Sequence, residues 1–300
     1  ARKRSPAYGR FLSRRNSCSI QLSLVMAVRV DRFSAIARRQ TFCNPAIMEK
    51  HQRIAQYSDR YLGDYGFESV MVAARQRLVV DVLRKVNAKV VLEVGCGIDM
   101  LGEKAHQAGL SVEQWIIVEP SERFCEAARA LKMGKTRVDV IHGFLEDSTE
   151  VIRQRCLHPP DFVVCSGLLN EIEQPEGVLT AVKRLLGRSG IVHVNVPNAQ
   201  SLHRKLAKAM GIIETEKQLT GRNRQLAQYR VYDFDALIAL AGATGFRVIE
   251  KGGYFIKPFT HAQMESISGL LSEAMLDGLW RLGREMPEFA SEIYVNLEAA

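Results

Sequence analysis

Paired cysteines are missing from this sequence. Its six cysteines (Cys18, Cys43, Cys96, Cys125, Cys156 and Cys165) are scattered, with no C-x-x-C pair and no histidines grouped near them. This pattern argues against structural zinc or a disulfide framework and for a reducing, cytoplasmic compartment; no metal is expected. Long apolar runs are also absent: none approaches the roughly 20 residues a membrane-spanning helix needs. The chain has neither a G-x-G-x-x-G loop nor a Y-x-x-x-K segment, which disfavours a nicotinamide-dependent dehydrogenase. Acidic residues are lacking at the start, where none precedes Asp31.

That last absence accounts for the charge. The net +8 lies in residues 1–50, with 11 Lys/Arg against 2 acids, whereas residues 51–300 hold 30 against 31. The body is neutral, so a nucleic-acid partner is expected only through the basic arm at 1–45. That arm reads as disordered, as a targeting presequence, or as a region translated ahead of a start at Met26 or Met48.

What is present is a core. A hydrophobic content of 47% over 300 residues supports one large α/β domain with attachments. Val90-Val-Leu-Glu93-Val-Gly95-Cys96-Gly97-Ile-Asp99-Met-Leu-Gly102 reads as a buried strand, a tight turn and a helix start. Two glycines let the backbone take positive φ and come close to a ligand. Asp99 stands where a third glycine could be; it tolerates left-handed geometry and can cap the helix that follows.

Four more apolar strands are predicted, at 115–119, 138–142, 161–165 and 191–196, alternating with helical segments. The second ends in Glu119-Pro120, placed to accept hydrogen bonds from ribose hydroxyls. His193, inside the fifth strand, reads as a satisfied core residue. Alternation of strands and helices predicts a doubly wound parallel sheet with ligands at the carboxyl ends of the strands. A helix at 68–86 packs just before the first strand, and the aromatics Tyr57, Tyr61, Tyr65 and Phe67 precede it. Asp233 caps a helix to Ala243. Strands follow at 246–250, continued or paired at 254–257, and at 291–297. The period over Thr260–Gly283 is helical.

The Glu93-x-Gly-x-Gly motif resembles motif I of the class I S-adenosylmethionine-dependent methyltransferases. The runs Val196-Pro197-Asn198, Ser201-Leu202-His203, Met210-Gly211-Ile212-Ile213 and Arg230-Val231-Tyr232-Asp233 resemble an uncharacterised bacterial branch related to ubiquinone-type O-methyltransferases. The resemblance implies a Rossmann-like seven-stranded sheet, its last strand inserted antiparallel, with a helical cap at 46–87 and a methyltransferase domain at 88–300. A lid insertion would span 197–232 and a helical insertion 260–288. It implies S-adenosylmethionine as cofactor, held by Glu93, Gly95, Cys96, Gly97, Asp99, Glu119, Pro120, Phe144, Leu145, Glu146, Ser166 and Gly167, with Glu146 or Asp147 as the adenine acceptor.

Residues 197–230 hold seven Lys/Arg against two Glu. They read as a charged helical hairpin, or as a lid over an anionic or polyhydroxylated small-molecule acceptor. Acceptor contacts are expected from Asn170, Asn198, Arg230, Tyr232 and Lys257. His203 is the first candidate base, ahead of His261 and Tyr229. RNA or protein acceptors and non-catalytic cofactor binding are the alternatives. No Asn/Asp-Pro-Pro-Tyr/Phe segment follows the fourth strand, which disfavours methylation of base amino groups. The helix at 260–283 offers a second substrate wall or a homodimer surface.

Overall fold

Runs of Val, Ile and Leu buried on both faces form the middle of the sheet. Strands β1 (Val90–Val94), β2 (Gln114–Glu119) and β4 (Phe162–Ser166) run parallel beside β5 (Ile191–Pro197), and β3 (Arg137–His142) is the more exposed edge. A computed structural model describes Ile54 and residues 66–300, all within the unit Cys43–Ala300. The basic arm at 1–45 and Tyr57, Tyr61 and Tyr65 lie outside the described residues, as does the cap before Gly66 except for Ile54.

In chain order the helices are α1 (Glu68–Val86), α2 (Leu101–Gln107), α3 (Glu122–Arg129), α4 (Leu145–Arg155), α5 (Pro175–Leu185), α6 (Leu202–Ala209), α7 (Gly221–Gln225), α8 (Phe234–Ala243), α9 (His261–Ser266) and α10 (Glu273–Glu285). Strands β6 (Phe246–Tyr254) and β7 (Glu292–Ala299) complete a seven-stranded sheet of order β3-β2-β1-β4-β5-β7-β6. The first five strands are mutually parallel, and β7 is antiparallel to both β5 and β6. The chain winds outward through β2 and β3, then returns across β1 to β4. The crevice of a doubly wound sheet therefore opens at the carboxyl ends of β1 and β4.

Period-two alternation sorts the side chains into two cores. Val90, Leu92 and Val94 of β1 face a cluster with Leu145, Leu179 and Leu240 of α4, α5 and α8. Val91 faces the opposite cluster, built with Leu78, Leu101 and Phe124 of α1, α2 and α3. Glu93 shares the α1 side, where it is buried against Trp115.

The insertion of β7 is what brings the chain's end to the crevice. Its first residue, Glu292, pairs with Pro197 at the end of β5 and with Tyr254 at the end of β6. Beyond Tyr254, Phe255 takes φ 60, a left-handed conformation uncommon for a bulky residue, and turns the chain toward Lys257. Helix α10 crosses so close that a methyl group at Gly283 would collide with the Phe255 backbone nitrogen.

Two local expectations are corrected. Residues 260–283 are not one helix: α9 stops at Ser266, a 3-10 turn covers Ser268–Leu270, and Ser272 caps α10 by accepting from Met275 N. Asp99 does not cap α2 and has no left-handed φ. Met100 is the N-cap residue, without a side-chain cap, and the positive φ values fall on Gly95 (73°) and Gly97 (60°).

Candidate active site

One cavity of about 1100 Å³ runs along the carboxyl edge of the sheet, from the β1 turn to the inner surface of α6 and α7. At one end its walls come from the β1 turn. Gly95 and Gly97 leave the backbone bare there: a Cβ at Gly97 would meet nothing within 4 Å, and one at Gly95 would touch only Leu168, at 3.3 Å. Glu119 closes this end from β2. Its carboxylate accepts from Cys96 N at 3.1 Å and from Ser121 N at 2.8 Å. Cys96 Sγ lies 3.8 Å from the same Oε2, and the Gly97 backbone N–H donates to this carboxylate as well. Burial pushes its pKa up, against the opposing effect of these backbone N–H donors.

Glu93 is 5% exposed and accepts a 2.7 Å hydrogen bond from Trp115 Nε1. Burial, with Glu119 adding to it, raises its pKa to about 8 despite the indole bond. Neutral near pH 7, Glu93 is poised to ionise beside a cation.

A charged cluster also lines the cavity, with Arg75 reaching to within 3.8 Å of where a Cβ at Gly167 would stand. Glu68 and Arg75 come from α1, Glu292 from β7, Lys257 from the segment after β6, His261 from α9 and Arg222 from α7. Arg75 forks onto Glu292 (2.9 and 2.5 Å) and reaches Glu68 at 3.3 Å. His261 lies 2.7 Å from Glu68 Oε2 through Nε2 and 2.6 Å from Lys257 Nζ through Nδ1. Burial works against the Glu68 charge, yet the His261 bond and the Arg75, His261 and Arg222 charges bring its pKa down to about 2. Burial moves Lys257 the other way, from 10.5 to about 7, with Arg222 and Arg204 adding to it and Glu68 and Glu292 opposing it.

Among the described residues, three buried polar atoms of residues lining the cavity have no hydrogen-bond partner: Asn170 Oδ1, His203 Nδ1 and Ser291 Oγ. Such atoms cost about 1–3 kcal/mol each when left unpaired, which marks a surface made for a polar ligand.

Of the residues singled out from the sequence, Glu93, Gly95, Cys96, Gly97, Asp99, Glu119, Pro120, Phe144, Leu145, Glu146, Ser166 and Gly167 line the cavity. So do Asn170, Asn198, His203, Tyr229, Lys257 and His261. Arg230 and Tyr232 do not: Arg230 Nη2 donates to Glu173 O, and Tyr232 is a core residue donating to Leu169 O at 3.4 Å. Asp147 is likewise outside, leaving Glu146 as the acid of that turn in the cavity. His203 is a poor base, because burial, with the charges of Lys257, Arg204 and His261, drops its pKa to about 2. His193 is the core residue expected, fixed between Asn296 Oδ1 (2.7 Å) and Asn195 Nδ2 (3.1 Å).

Sequence reasoning missed Glu68, Arg75, Ser291 and Glu292. A signal for the first two existed: they sit seven apart on α1, interrupting its apolar stripe on one face.

Among the described residues no group of three or more His, Cys, Asp or Glu could hold a metal ion, and no helix is long and apolar enough to cross a membrane.

Comparison with known proteins places this geometry. Residues 52–251 match the family described as Methyltransferase domain. No curated protein sequence matches the chain. Among solved structures, a DUF574 family protein from Streptomyces avermitilis is 11% identical, with 85% of this chain and 91% of that one covered and a TM-score of 0.54. This likeness is one of fold. The plantazolicin methyltransferase BamL, solved with a triazolic desmethylPZN analog and SAH, is 14% identical over 84% of this chain and 97% of its own, with a TM-score of 0.48. A SAM-dependent methyltransferase from Archaeoglobus fulgidus is 16% identical, covering 74% and 93%, with a TM-score of 0.43. With two thirds of its length matched and the seven-stranded sheet in place, the chain belongs to the methyltransferase domain family, as a class I S-adenosylmethionine-dependent methyltransferase.

Proposed function

We propose that this enzyme transfers a methyl group to an oxygen or nitrogen of a small-molecule acceptor, seated beside S-adenosylmethionine in the same cavity. The single observation that carries this reading is the continuity of the cavity. Its about 1100 Å³ exceeds the roughly 300–1,000 Å³ of a site for one small ligand. Its walls include a glycine turn with two carboxylates and a polar, charged cluster that reaches α6 and α7.

The residues around the glycine turn fit the cofactor. Gly95 and Gly97 offer bare backbone, the Glu119 carboxylate lines the cavity where it would accept from hydroxyls, and Glu93 can balance an ammonium group. Phe144 and Leu145 would provide an apolar contact for the purine, and Glu146 an acceptor for its amino group. When bound, S-adenosylmethionine supplies a methyl group already activated on a sulfonium sulfur. The protein's own contribution is then orientation and exclusion of water, which can lower a barrier by about 7–11 kcal/mol. Calorimetric titration with S-adenosylmethionine, followed by a labelled-methyl screen of phenols, sugars and amines, tests the reading. Absence of binding heat sinks it.

Two expected results follow for the cofactor end. A cation beside Glu93 lowers its pKa from about 8, so binding releases a proton and affinity rises with pH until about 8, then levels. Titrations in buffers of different ionisation enthalpy read the proton directly; equal heats in all buffers at pH 7 would remove Glu93 from the contact. Asp99 is exposed and its carbonyl, not its carboxylate, is tied down, by Gln76 Nε2 at 2.9 Å. Asp99→Gly is therefore expected to change the dissociation constant by less than about threefold. A tenfold tightening would show that the carboxylate crowds the cofactor.

A further inference from the structure

The proposed methyl transfer leaves one question of chemistry open: an O–H or protonated N–H acceptor must lose a proton, and His203 is not suited to take it. His203 is too weak a base, as its pKa of about 2 shows.

We propose that Lys257 is the proton acceptor of this enzyme, held in place by His261 and Glu68 as positioning residues. This deepens the proposed function and rests on it.

The geometry fixes the direction of the chain of bonds. Glu68 is ionised, so His261 Nε2–H donates to its Oε2 across 2.7 Å. That leaves His261 Nδ1 with its lone pair, able to accept one N–H of Lys257 across 2.6 Å. Burial opposes a charge on His261 as well, lowering its pKa and favouring this neutral tautomer. A neutral Lys257 amine so held keeps its own lone pair available. The side chain is 3% exposed, so bulk water cannot easily compete for that pair.

Placement supports the same role. Lys257 reaches the cavity because Phe255 takes its left-handed turn and Ser291 N donates to Phe255 O at 2.7 Å. Ser291 Oγ, Asn170 Oδ1 and His203 Nδ1, the three unpartnered atoms, lie along the same cavity and would receive the polar atoms of the acceptor.

In the step itself the acceptor's O–H or N–H bond breaks, and the proton joins the Lys257 lone pair to give an ammonium group. The electron pair freed on oxygen or nitrogen would bond to the methyl carbon as the methyl–sulfur bond breaks, the pair of that bond staying on the sulfur, which would leave as the neutral thioether of S-adenosylhomocysteine. Lys257 then returns its proton to solvent after product leaves. The titratable and charged groups around the amine are Glu68 and Arg75 on α1, Arg204 and the neutral His203 on α6, Arg222 on α7, the neutral His261 on α9 and Glu292 on β7. Their signs nearly balance, so burial decides, and Lys257 titrates near 7 and not in the usual lysine range.

The first test needs no acceptor. The full chain is labelled with 13C,15N-lysine, Lys257 is assigned by its loss in Lys257→Met, and its ammonium signal is titrated by NMR. A midpoint near pH 7 is expected. Glu68→Gln removes a charge that favours the ammonium form and should move the midpoint lower. A midpoint above 9, or one indifferent to Glu68→Gln, overturns the proposal.

The second test uses labelled-methyl S-adenosylmethionine with catechol, tyramine and glycerol as probes. For any probe methylated, kcat should rise with pH to a plateau above about 7, and Lys257→Met should lose at least about 100-fold in kcat while its S-adenosylmethionine affinity holds. Glu68→Gln should shift the profile in the direction the NMR midpoint moves, which a merely structural role would not do. Wild-type kcat in Lys257→Met overturns the proposal. Should S-adenosylmethionine itself fail to bind the wild-type chain, it is the methyltransferase reading that fails, and calorimetry separates that outcome from these.

Discussion

Glu292→Gln is expected to lower the melting temperature by about 8–15 °C. The wild-type carboxylate accepts two hydrogen bonds from Arg75 and a third from Tyr254, and it is 5% exposed. The substituted amide would present an NH₂ where the guanidinium or the phenol needs an acceptor, and Arg75 would keep Glu68 as its remaining carboxylate partner. Breaking a buried pair on one side costs about 3–5 kcal/mol, because the surviving charge stays in a poor solvent. In a domain of this size each kcal/mol is worth about 2–4 °C. The bridge ties the middle of α1 to the first residue of β7, so its loss also loosens the charged cluster of the cavity. Arg75→Met combined with Glu292→Met removes both charges and should recover much of the loss, since an apolar pair of similar volume needs no desolvation. Scanning calorimetry of the single and double variants decides it. A single variant within 2 °C of wild type would mean that the bridge is exchanged for water at little cost.

That bridge also shows where a sequence stops being readable. The end of the cavity proposed for the cofactor is local: Glu93, Gly95 and Gly97 lie on and just after one strand, Glu119 ends the next, and each lies in a strand–turn–helix unit whose pattern spans a dozen residues. Hydrophobic alternation fixes which way those strands face, and the parallel order then places their ends together. The charged cluster has no such locality. Arg75 and Glu292 are 217 positions apart, and Glu68 and His261 are 193 apart. Their meeting depends on β7 slotting between β5 and β6 and on Phe255 turning left-handed, features that no local propensity encodes. Tyr232 failed for a related reason. Its motif context was legible, but the side on which it would be buried was set by α8 and by the loop after β4. Lys257 was visible as a cation, while its behaviour as a base depends on burial beside His261.

Glu119→Ala carries the largest expected effect on binding, a loss of S-adenosylmethionine affinity of about 100-fold. Two hydrogen bonds to an ionised group are worth about 1.5–3 kcal/mol each, and every 1.4 kcal/mol is tenfold in the dissociation constant. The lower end of that range already gives two decades. Burial raises the Glu119 pKa, but backbone N–H groups of Ser121, Gly97 and Cys96 hold it toward the charged form, so the carboxylate is preorganised before any ligand arrives. Losing it also frees the Cys96 and Ser121 amides, so a loosened turn competes with a lost contact as the origin of the effect. Two comparisons separate these. Contact with the ribose predicts an equal loss for S-adenosylmethionine and S-adenosylhomocysteine, which share that sugar. It also predicts that a 2′-deoxy analogue, weakened against the wild type, loses little more against Glu119→Ala, because the partner of its missing hydroxyl is already gone. If the deoxy analogue is instead weakened equally by both proteins, the two effects are independent, and Glu119 acts by bracing the Gly95–Gly97 turn.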